Sequence, residues 1–361
     1  MRWSELQLAA EIRPAWLNGI AVSLPGVWTD PPQATRRDGA LELNFDLERM
    51  IETLAAESWL KPESPPSDWL PFSYLSFPGP MRRLAATCLY LPQRWRRHRE
   101  HPSWPVAPAL DVLLELAGRR TVPEWGGRWA VTLSHDVDTV HGLRRAPAVA
   151  DVVERAGFRS SFFVVGDALH REPAIAHELR QRGHEIGSHD LMHDNRLFLL
   201  AQAEQRERLQ RARDSIAPFG GSGFRAPSLR RTAPLIAEIG RWFDFDSSTC
   251  DSDLEQRRGC TTVLPFVLRG CLEIPVTLPT DASLMYLGLG PRAVSALWRR
   301  KCEFIRAARG IAVLVTHTEP HFTSMRRLRA LEEWLGWLRD QDDVAVLPLS
   351  RVAKLVRGGT V

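Results

Sequence analysis

The chain has 361 residues, of which 44% are hydrophobic and 25% are charged. This composition predicts a folded protein with one large domain or two of ordinary size, and it excludes a disordered tail. The formal net charge is +4, but no repeated motif of basic and aromatic residues accompanies it, so we do not expect nucleic acid as a partner. We recognise no transmembrane segment and no secretory signal, which predicts a cytoplasmic protein.

The cysteines are five in number and lie far apart in the sequence: Cys88, Cys250, Cys260, Cys271 and Cys302. An odd number without any C-x-x-C pair is typical neither of a disulfide framework nor of a thiolate zinc site. The sequence therefore predicts reduced thiols.

The chain has two regions that differ in composition and in the regularity of their sequence patterns. Residues 1–125 are rich in Trp and Pro and show short helical patterns only at 45–56 and 107–116. We interpret this part as an N-terminal accessory region of unknown role, followed by a regular α/β region over residues 126–361. Four tryptophans of the first region are expected to be core residues rather than sugar-stacking platforms: Trp59, Trp69, Trp95 and Trp104.

From Trp129 onward, short apolar runs alternate with amphipathic stretches, which is typical of β-α units around a parallel sheet or barrel. In chain order the predicted elements are strand 130–134, helix 147–157, strand 161–165, helix 173–182, strand 184–187, helix 200–216, strand 223–225, helix 232–239, strand 243–246, strand 272–276, helix 291–309, strand 311–315, helix 324–339 and strand 344–347. Because Gly-rich phosphate-binding fingerprints are missing, we favour a (β/α) barrel of about seven strands over an open doubly wound sheet.

Polar side chains follow several of these strands. In parallel barrels the reactive groups lie where the strands end at their carboxyl edge. The residues at such positions are Asp136, Asp138, His189, His193, Arg225, Asp246 and His317. We therefore expect carboxylates, imidazoles and one guanidinium to converge at one end of the barrel.

The spacing within this set points to a catalytic metal site. His189 and His193 are four residues apart, so on a helical turn both imidazoles face the same way and can bind one cation. Two His and one carboxylate leave coordination positions open for water and substrate. Asp136 and Asp138 point to the same face of an extended segment, so one can ligate the metal while the other approaches its bound water. The spacing does not decide which aspartate is the metal ligand and which one approaches the bound water.

Five short motifs between Trp129 and the C-terminus resemble the polysaccharide deacetylase family (carbohydrate esterase family four). They lie at 136–138, 183–193, 225–227, 244–248 and 311–317. The family's domain is a distorted (β/α) barrel with one divalent metal, usually zinc. The pair of His in the second motif is the most specific match.

The chain also departs from the family's pattern. Asp136 and Asp138 are separated by Val137, where the family usually has adjacent aspartates. Asp190 stands in the second motif where the family usually has Ser or Thr. In the third motif Ser228 and Leu229 follow Pro227 in place of an aromatic residue and Gly.

The resemblance implies roles for the first three motifs. Asp138, His189 and His193 would hold Zn²⁺ or another divalent metal. Asp136 would be the catalytic base, and Arg225 would pair with it and orient it.

It implies further roles at the remaining positions. His317 would be the general acid, and a carboxylate such as Asp246 would keep it charged. The backbone amide of Ser228 would help to hold the oxyanion. The reaction implied is removal of an N-acetyl group from an amino sugar or glycan precursor by attack of a zinc-bound water.

Two other functions remain as alternatives. Divergent branches of the same fold hydrolyse carbon-nitrogen bonds in small cyclic amides or ureides, and the spaced aspartates and the altered third motif keep this reading open. A barrel that has lost catalysis and serves as a binding module is the other alternative. Retention of the presumed ligands, of Arg225 and of His317 argues against it.

Overall fold

The computed structural model describes residues 34–37, 40–43, 45–58, 104, 106–253 and 258–358. Two short strands, β1 (Ala34–Arg37) and β2 (Ala40–Leu43), pair in an antiparallel manner. All other described strands belong to one nine-stranded sheet.

The large sheet has the order β10-β3-β4-β5-β6-β7-β9-β8, and β11 pairs with the beginning of β3. The strands are β3 (Trp129–Val137), β4 (Ser161–Val164), β5 (Glu185–Ser188), β6 (Gly223–Phe224), β7 (Phe245–Asp246), β8 (Phe266–Leu268), β9 (Cys271–Glu273), β10 (Ile311–His317) and β11 (Val344–Val346). Only β8 and β9 pair in an antiparallel manner among these strands. The Leu278 amide beyond β9 donates to the Val313 carbonyl of β10 at 3.1 Å, so the sheet curls back on itself.

The helices surround this curled sheet. They are α1 (Leu47–Ala56), α2 (Ala109–Leu116), α3 (Val140–Arg155), α4 (Gly166–Arg171), α5 (Pro173–Gln181), α6 (Gln202–Ile216), α7 (Ala233–Ile239), α8 (Asp281–Tyr286), α9 (Pro291–Ala307), α10 (Met325–Arg339) and α11 (Leu349–Gly358). The prediction of a distorted (β/α) barrel is confirmed. None of the described helices is both long and apolar enough to cross a membrane.

Most predicted elements lie within a few residues of the observed ones, but α3 begins seven residues earlier than expected. The Thr139 side chain accepts a hydrogen bond from the Gly142 amide at 3.1 Å and caps the helix there. Pro147, which we expected at the helix start, lies inside it. The cap at Thr139 therefore decides where α3 begins.

One hydrophobic cluster joins the N-terminal helices to the barrel. Met50 and Leu54 of α1 and Leu110 and Leu113 of α2 belong to the same buried cluster as Trp129. The helical patterns predicted at 45–56 and 107–116 are thus confirmed as α1 and α2. The boundary near residue 125 stays a prediction.

The cysteine prediction agrees with the described residues. Cys250, Cys260, Cys271 and Cys302 are buried free thiols, and Cys88 lies outside the described residues. Trp104 is buried as expected, at 5% exposure. Trp59, Trp69 and Trp95 also lie outside the described residues.

Candidate active site

Three presumed metal ligands lie together at the carboxyl ends of β3 and β5. The Asp138 Oδ1 atom is 3.3 Å from His189 Nε2 and 3.6 Å from His193 Nε2. One ligand atom from each residue lies within 4.8 Å of the other two. Two atoms bound about 2.1 Å from one tetrahedral ion would be about 3.4 Å apart. The cluster therefore has the spacing of a metal site.

The hydrogen bonds around this cluster leave His189 Nε2 and Asp138 Oδ1 available to bind a cation. His189 Nδ1 lies 2.9 Å from the Arg225 carbonyl oxygen, which can only accept, so Nδ1 carries the proton and Nε2 keeps its lone pair. Asp138 Oδ1 is buried without a hydrogen-bond partner among the described residues. A carboxylate oxygen and an imidazole nitrogen aimed at one point are suitable donors for a divalent ion such as zinc.

The loop that carries His193 is held by an arginine of α6. Arg208 contacts both carboxylate oxygens of Asp190, at 2.8 and 2.6 Å. It also contacts Asp194 and donates to the Met192 carbonyl at 3.0 Å. Asp190, which stands in place of the family's hydroxyl residue, is buried and has a left-handed φ of 66°. The Asp190–Arg208 pair thus fixes the loop between the two His.

Asp136 is held by a fully buried arginine. Arg225 Nη1 donates to Asp136 Oδ1 at 2.8 Å and to Ser134 Oγ at 2.9 Å. The other side of the guanidinium donates to the carbonyl and hydroxyl of Ser247. Burial alone would raise the pKa of the Asp136 carboxyl, but the charges of Arg225, His189 and His317 together outweigh burial, and the pKa lies below its usual range. Asp136 is therefore an ionised, oriented carboxylate.

His317 pairs with an aspartate that the sequence analysis missed. Its Nδ1 atom lies 2.6 Å from Asp281 Oδ1, and its backbone amide donates to Asp281 Oδ2 at 3.0 Å. Burial lowers the pKa of the imidazole, but Asp281, with smaller contributions from Asp138 and Asp136, outweighs burial and raises the pKa of His317 well above its usual value. Asp281 is the first residue of α8, eight residues after the end of β9, so a search for polar residues directly at strand ends does not find it.

Asp246 does not contact His317, contrary to the expectation that it would hold that imidazole. It is fully buried at the end of β7, and its Oδ1 atom accepts from the Ser248 hydroxyl at 2.7 Å. Ser248 Oγ in turn accepts from the Ala226 amide at 2.8 Å. The register of β7 places Asp246 beneath the loop that follows Arg225, so it supports that loop instead.

Ser228 lies on a strained turn at the wall of the cavity. Both Ser228 and Leu229 have left-handed backbone angles, with φ of 49° and 52°. Such angles cost about 1 to 3 kcal/mol at non-glycine residues and persist only where the surroundings enforce them. The structure does not test the role of the Ser228 amide, which stays a prediction.

These groups open into one cavity of about 540 Å³. Polar lining residues are Asp136, Asp138, His193, Ser228, His317 and Glu319. Apolar and aromatic lining residues include Leu229, Leu278, Met285, Tyr286, Phe322 and Trp104. This size is in the range of small-molecule sites.

Glu319 is a further residue that the sequence analysis missed. Its Oε1 atom accepts from the Asp138 backbone amide at 2.9 Å, and Oε2 is buried without a hydrogen-bond partner among the described residues. It holds the chain where β3 ends. The sequence carried no signal for it beyond a position two residues after His317.

His135 and His184 are support residues, as expected. His135 Nδ1 contacts Thr316 Oγ1 at 2.7 Å, and burial lowers the pKa of His135 to about 3. His184 lies between Ser160 and Glu154. Neither belongs to the cluster of Asp138, His189 and His193.

The family resemblance is confirmed by comparison with known families. Residues 129–239 match the family model described as polysaccharide deacetylase. The match includes Asp136, Asp138, His189, His193, Arg225 and Ser228, and it ends before Asp281 and His317. A comparison with curated protein sequences finds no match.

Solved structures with the same fold cover about two thirds of the chain. A proposed polysaccharide deacetylase from Mycobacterium smegmatis is 22% identical, with 67% of this chain and 95% of that chain covered and a TM-score of 0.56. A proposed polysaccharide deacetylase from Pseudomonas aeruginosa PAO1 is 18% identical, with coverages of 68% and 97% and a TM-score of 0.55. For Puue allantoinase the identity is 17%, the coverages are 67% and 98%, and the TM-score is 0.53. At these identities the likeness shows a shared fold.

Proposed function

We propose that this protein is a metal-dependent hydrolase that removes an N-acetyl group from an amino sugar or a glycan precursor. The observation that carries the proposal is the convergence of three groups on one cavity. These are the Asp138, His189 and His193 cluster, the ionised Asp136, and the His317 and Asp281 pair. The match of residues 129–239 to the polysaccharide deacetylase family model supports the same reaction class.

The residues fit a divalent metal, of which zinc is the first candidate. Asp138 Oδ1 and the Nε2 atoms of His189 and His193 would hold it. A metal bound there would lower the pKa of a coordinated water and polarise the acyl carbonyl. Three protein ligands leave at least one position for water or substrate, as catalytic sites require.

Asp136 and His317 would move the two protons that the reaction requires, and both line the cavity. Asp136 is ionised and held by Arg225, so it can accept a proton from the attacking water. His317 keeps its proton because of Asp281, so it can donate to the departing amine. An amine is a poor leaving group without a proton, and an amide therefore needs both residues.

The Ser228 amide would donate to the oxygen on which negative charge develops. Its turn lines the same cavity as the catalytic pair. A single donor of this kind is typically worth about 10² to 10³ in rate.

The test is metal analysis of the purified chain, followed by acetate release from a panel of N-acetylated sugars and glycan fragments. The proposal expects about one metal per chain and release of acetate that stops on chelation and returns with Zn²⁺. Turnover of small cyclic amides or ureides instead would favour the alternative hydrolase. Sugar binding without turnover would favour a binding barrel.

The acid role of His317 has a separate test. His317→Ala is compared with the parent chain on an N-acetyl substrate and on an aryl acetate, with metal content checked in both. The phenolate of an aryl ester leaves without a proton, so we expect a loss of about 10² to 10⁴ on the amide and a much smaller loss on the ester. Equal losses on the two substrates would remove the acid role.

A further inference from the structure

A carboxylate from the N-terminal region lies buried against the barrel beside the cavity. Glu57 follows the last residue of α1 and is 3% exposed, with a left-handed φ of 50°. It lies outside residues 129–239, the part that matches the deacetylase family.

Glu57 binds two arginines of the barrel. Its Oε1 atom accepts from Arg231 Nη2 at 2.5 Å. Its Oε2 atom accepts from Arg258, at 2.7 Å from Nη2 and 3.1 Å from Nε. Burial raises the pKa of the carboxyl, but the two guanidiniums outweigh burial and hold the pKa of Glu57 below its usual value. The group is therefore an ionised bridge between two cations.

Arg231 connects Glu57 to the Ser228 turn. It is fully buried, and its Nη1 atom donates to the Leu229 carbonyl at 2.7 Å. Its Nε atom has no hydrogen-bond partner among the described residues, so its orientation depends on Glu57 and on the Leu229 carbonyl. Since Ser228 and Leu229 hold two consecutive left-handed angles, the turn needs contacts of this kind to persist.

Arg258 connects Glu57 to a second part of the cavity wall. The backbones of Arg258 and Asp253 exchange two hydrogen bonds, at 2.7 and 3.2 Å. Asp253 and its neighbour Ser252 line the cavity. Arg258 also donates to the Arg231 carbonyl at 3.3 Å, which joins the two connections.

We propose that Glu57 is a positioning residue of the active site: through Arg231 and Arg258 it clamps the Ser228 turn and the Asp253 segment of the cavity wall. The proposal rests on the proposed deacetylase function for its kinetic consequence. Loss of the carboxylate frees the turn to leave its left-handed angles, and the Ser228 amide then no longer points steadily at the developing oxyanion. Glu57 thereby takes part in catalysis without touching the substrate.

The experiment compares Glu57→Gln and Glu57→Asp with the parent chain. Gln keeps the volume but removes the charge, and Asp keeps the charge but is too short to reach both arginines. Glu48→Gln is the matched control, because Glu48 lies on α1 in an exposed ion pair with Arg119. We expect kcat on the N-acetyl substrate to fall about tenfold or more in Glu57→Gln, with KM and metal content close to those of the parent, a smaller fall in Glu57→Asp and none in Glu48→Gln.

Amide hydrogen exchange gives a readout that does not depend on activity. We expect faster exchange in residues 228–231 of Glu57→Gln, with the amides of β3 and β10 unchanged. Unchanged kcat, or unchanged exchange in this segment, would overturn the proposal. Faster exchange over the whole barrel would also overturn the proposal, and so would failure of both Glu57 variants to fold. Either result would mean that Glu57 serves only the stability of the fold. If the parent chain deacetylates nothing, the proposed function fails and the exchange experiment still decides whether Glu57 holds the turn.

Discussion

Asp136 and Asp138 are two residues apart on the same strand, and their surroundings separate their roles. Asp136 faces the Arg225 guanidinium at 2.8 Å. Asp138 faces the two imidazoles and has a buried oxygen without a hydrogen-bond partner among the described residues. A guanidinium favours an ionised base, and an unpartnered oxygen between two imidazoles favours a metal ligand.

Asp136→Asn should therefore keep the metal and lose turnover. The change removes the base while Asp138, His189 and His193 stay in place, so we expect a loss of about 10² to 10⁴ in kcat. Metal content per chain and acetate release are measured on the same preparation. His189→Ala is the matched comparison and should lose both. An Asp136→Asn chain without metal would show that the two aspartates have the opposite roles.

Asp281 should set the alkaline limb of the pH profile. As the acid, His317 must be protonated, so activity is lost as pH rises through its pKa. Since Asp281 raises that pKa, Asp281→Asn should move the alkaline limb of kcat/KM to lower pH, by about 1 to 3 units. Asn still offers an oxygen to the His317 amide, which keeps the loop in place. An alkaline limb at the parent's pH would mean that another group controls it.

The loop that carries His193 depends on the helix behind it. Residues 189–194 form a loop between β5 and α6 and contain no helix or strand. Arg208 of α6 binds Asp190, Asp194 and the Met192 carbonyl. These contacts of α6 therefore fix the position of His193 relative to Asp138 and His189.

Replacing Arg208 should weaken the metal site without touching a ligand. In Arg208→Met the aliphatic bulk remains and the contacts to Asp190 and Asp194 are lost. We expect metal affinity to fall about 10- to 100-fold, as for other residues that orient metal ligands, measured by competition with a chelator. Arg211→Gln, at an exposed position of the same helix, is the control and should bind metal like the parent. Equal affinities in all three chains would contradict this account of the loop.

At the scale of the whole molecule, the barrel and the N-terminal helices share one core. Leu54 of α1 and Leu110 of α2 are buried to 0% and 1% exposure in the cluster that contains Trp129. Asp111 of α2 accepts from the Thr262 hydroxyl and the Val263 amide before β8. The N-terminal helices thus contribute to the stability of the barrel itself.

Leu110→Ala should accordingly destabilise the protein by about 2 to 5 kcal/mol, the usual cost of removing a buried leucine side chain. Urea denaturation followed by the fluorescence of the tryptophans measures this loss. Leu199→Ala serves as the control, since Leu199 is 40% exposed and its loss should change stability by no more than about 0.5 kcal/mol. A Leu110→Ala chain as stable as the control would show that α2 is dispensable for the core.

Much of the site follows from position along the chain. Asp136, Asp138, His189, Arg225 and His317 lie at the carboxyl ends of strands, and parallel strands bring such ends to one edge. Local sequence patterns also predict most elements, because the spacing of apolar residues along the chain differs between strands and helices. The Thr139 cap shows the limit of local signals, since proline was the more conspicuous feature and did not set the helix start.

The sequence by itself determined the barrel class, the strand-end residues and the pair of His four residues apart, because these depend on periodicity and spacing. Only the tertiary structure decided which carboxylate pairs with which basic side chain. Asp281 rather than Asp246 holds His317, and Glu57 reaches Arg231 across 174 positions of the chain. Contacts of this kind depend on sheet order and helix packing, and no local pattern encodes the distance between residues that are far apart in the sequence.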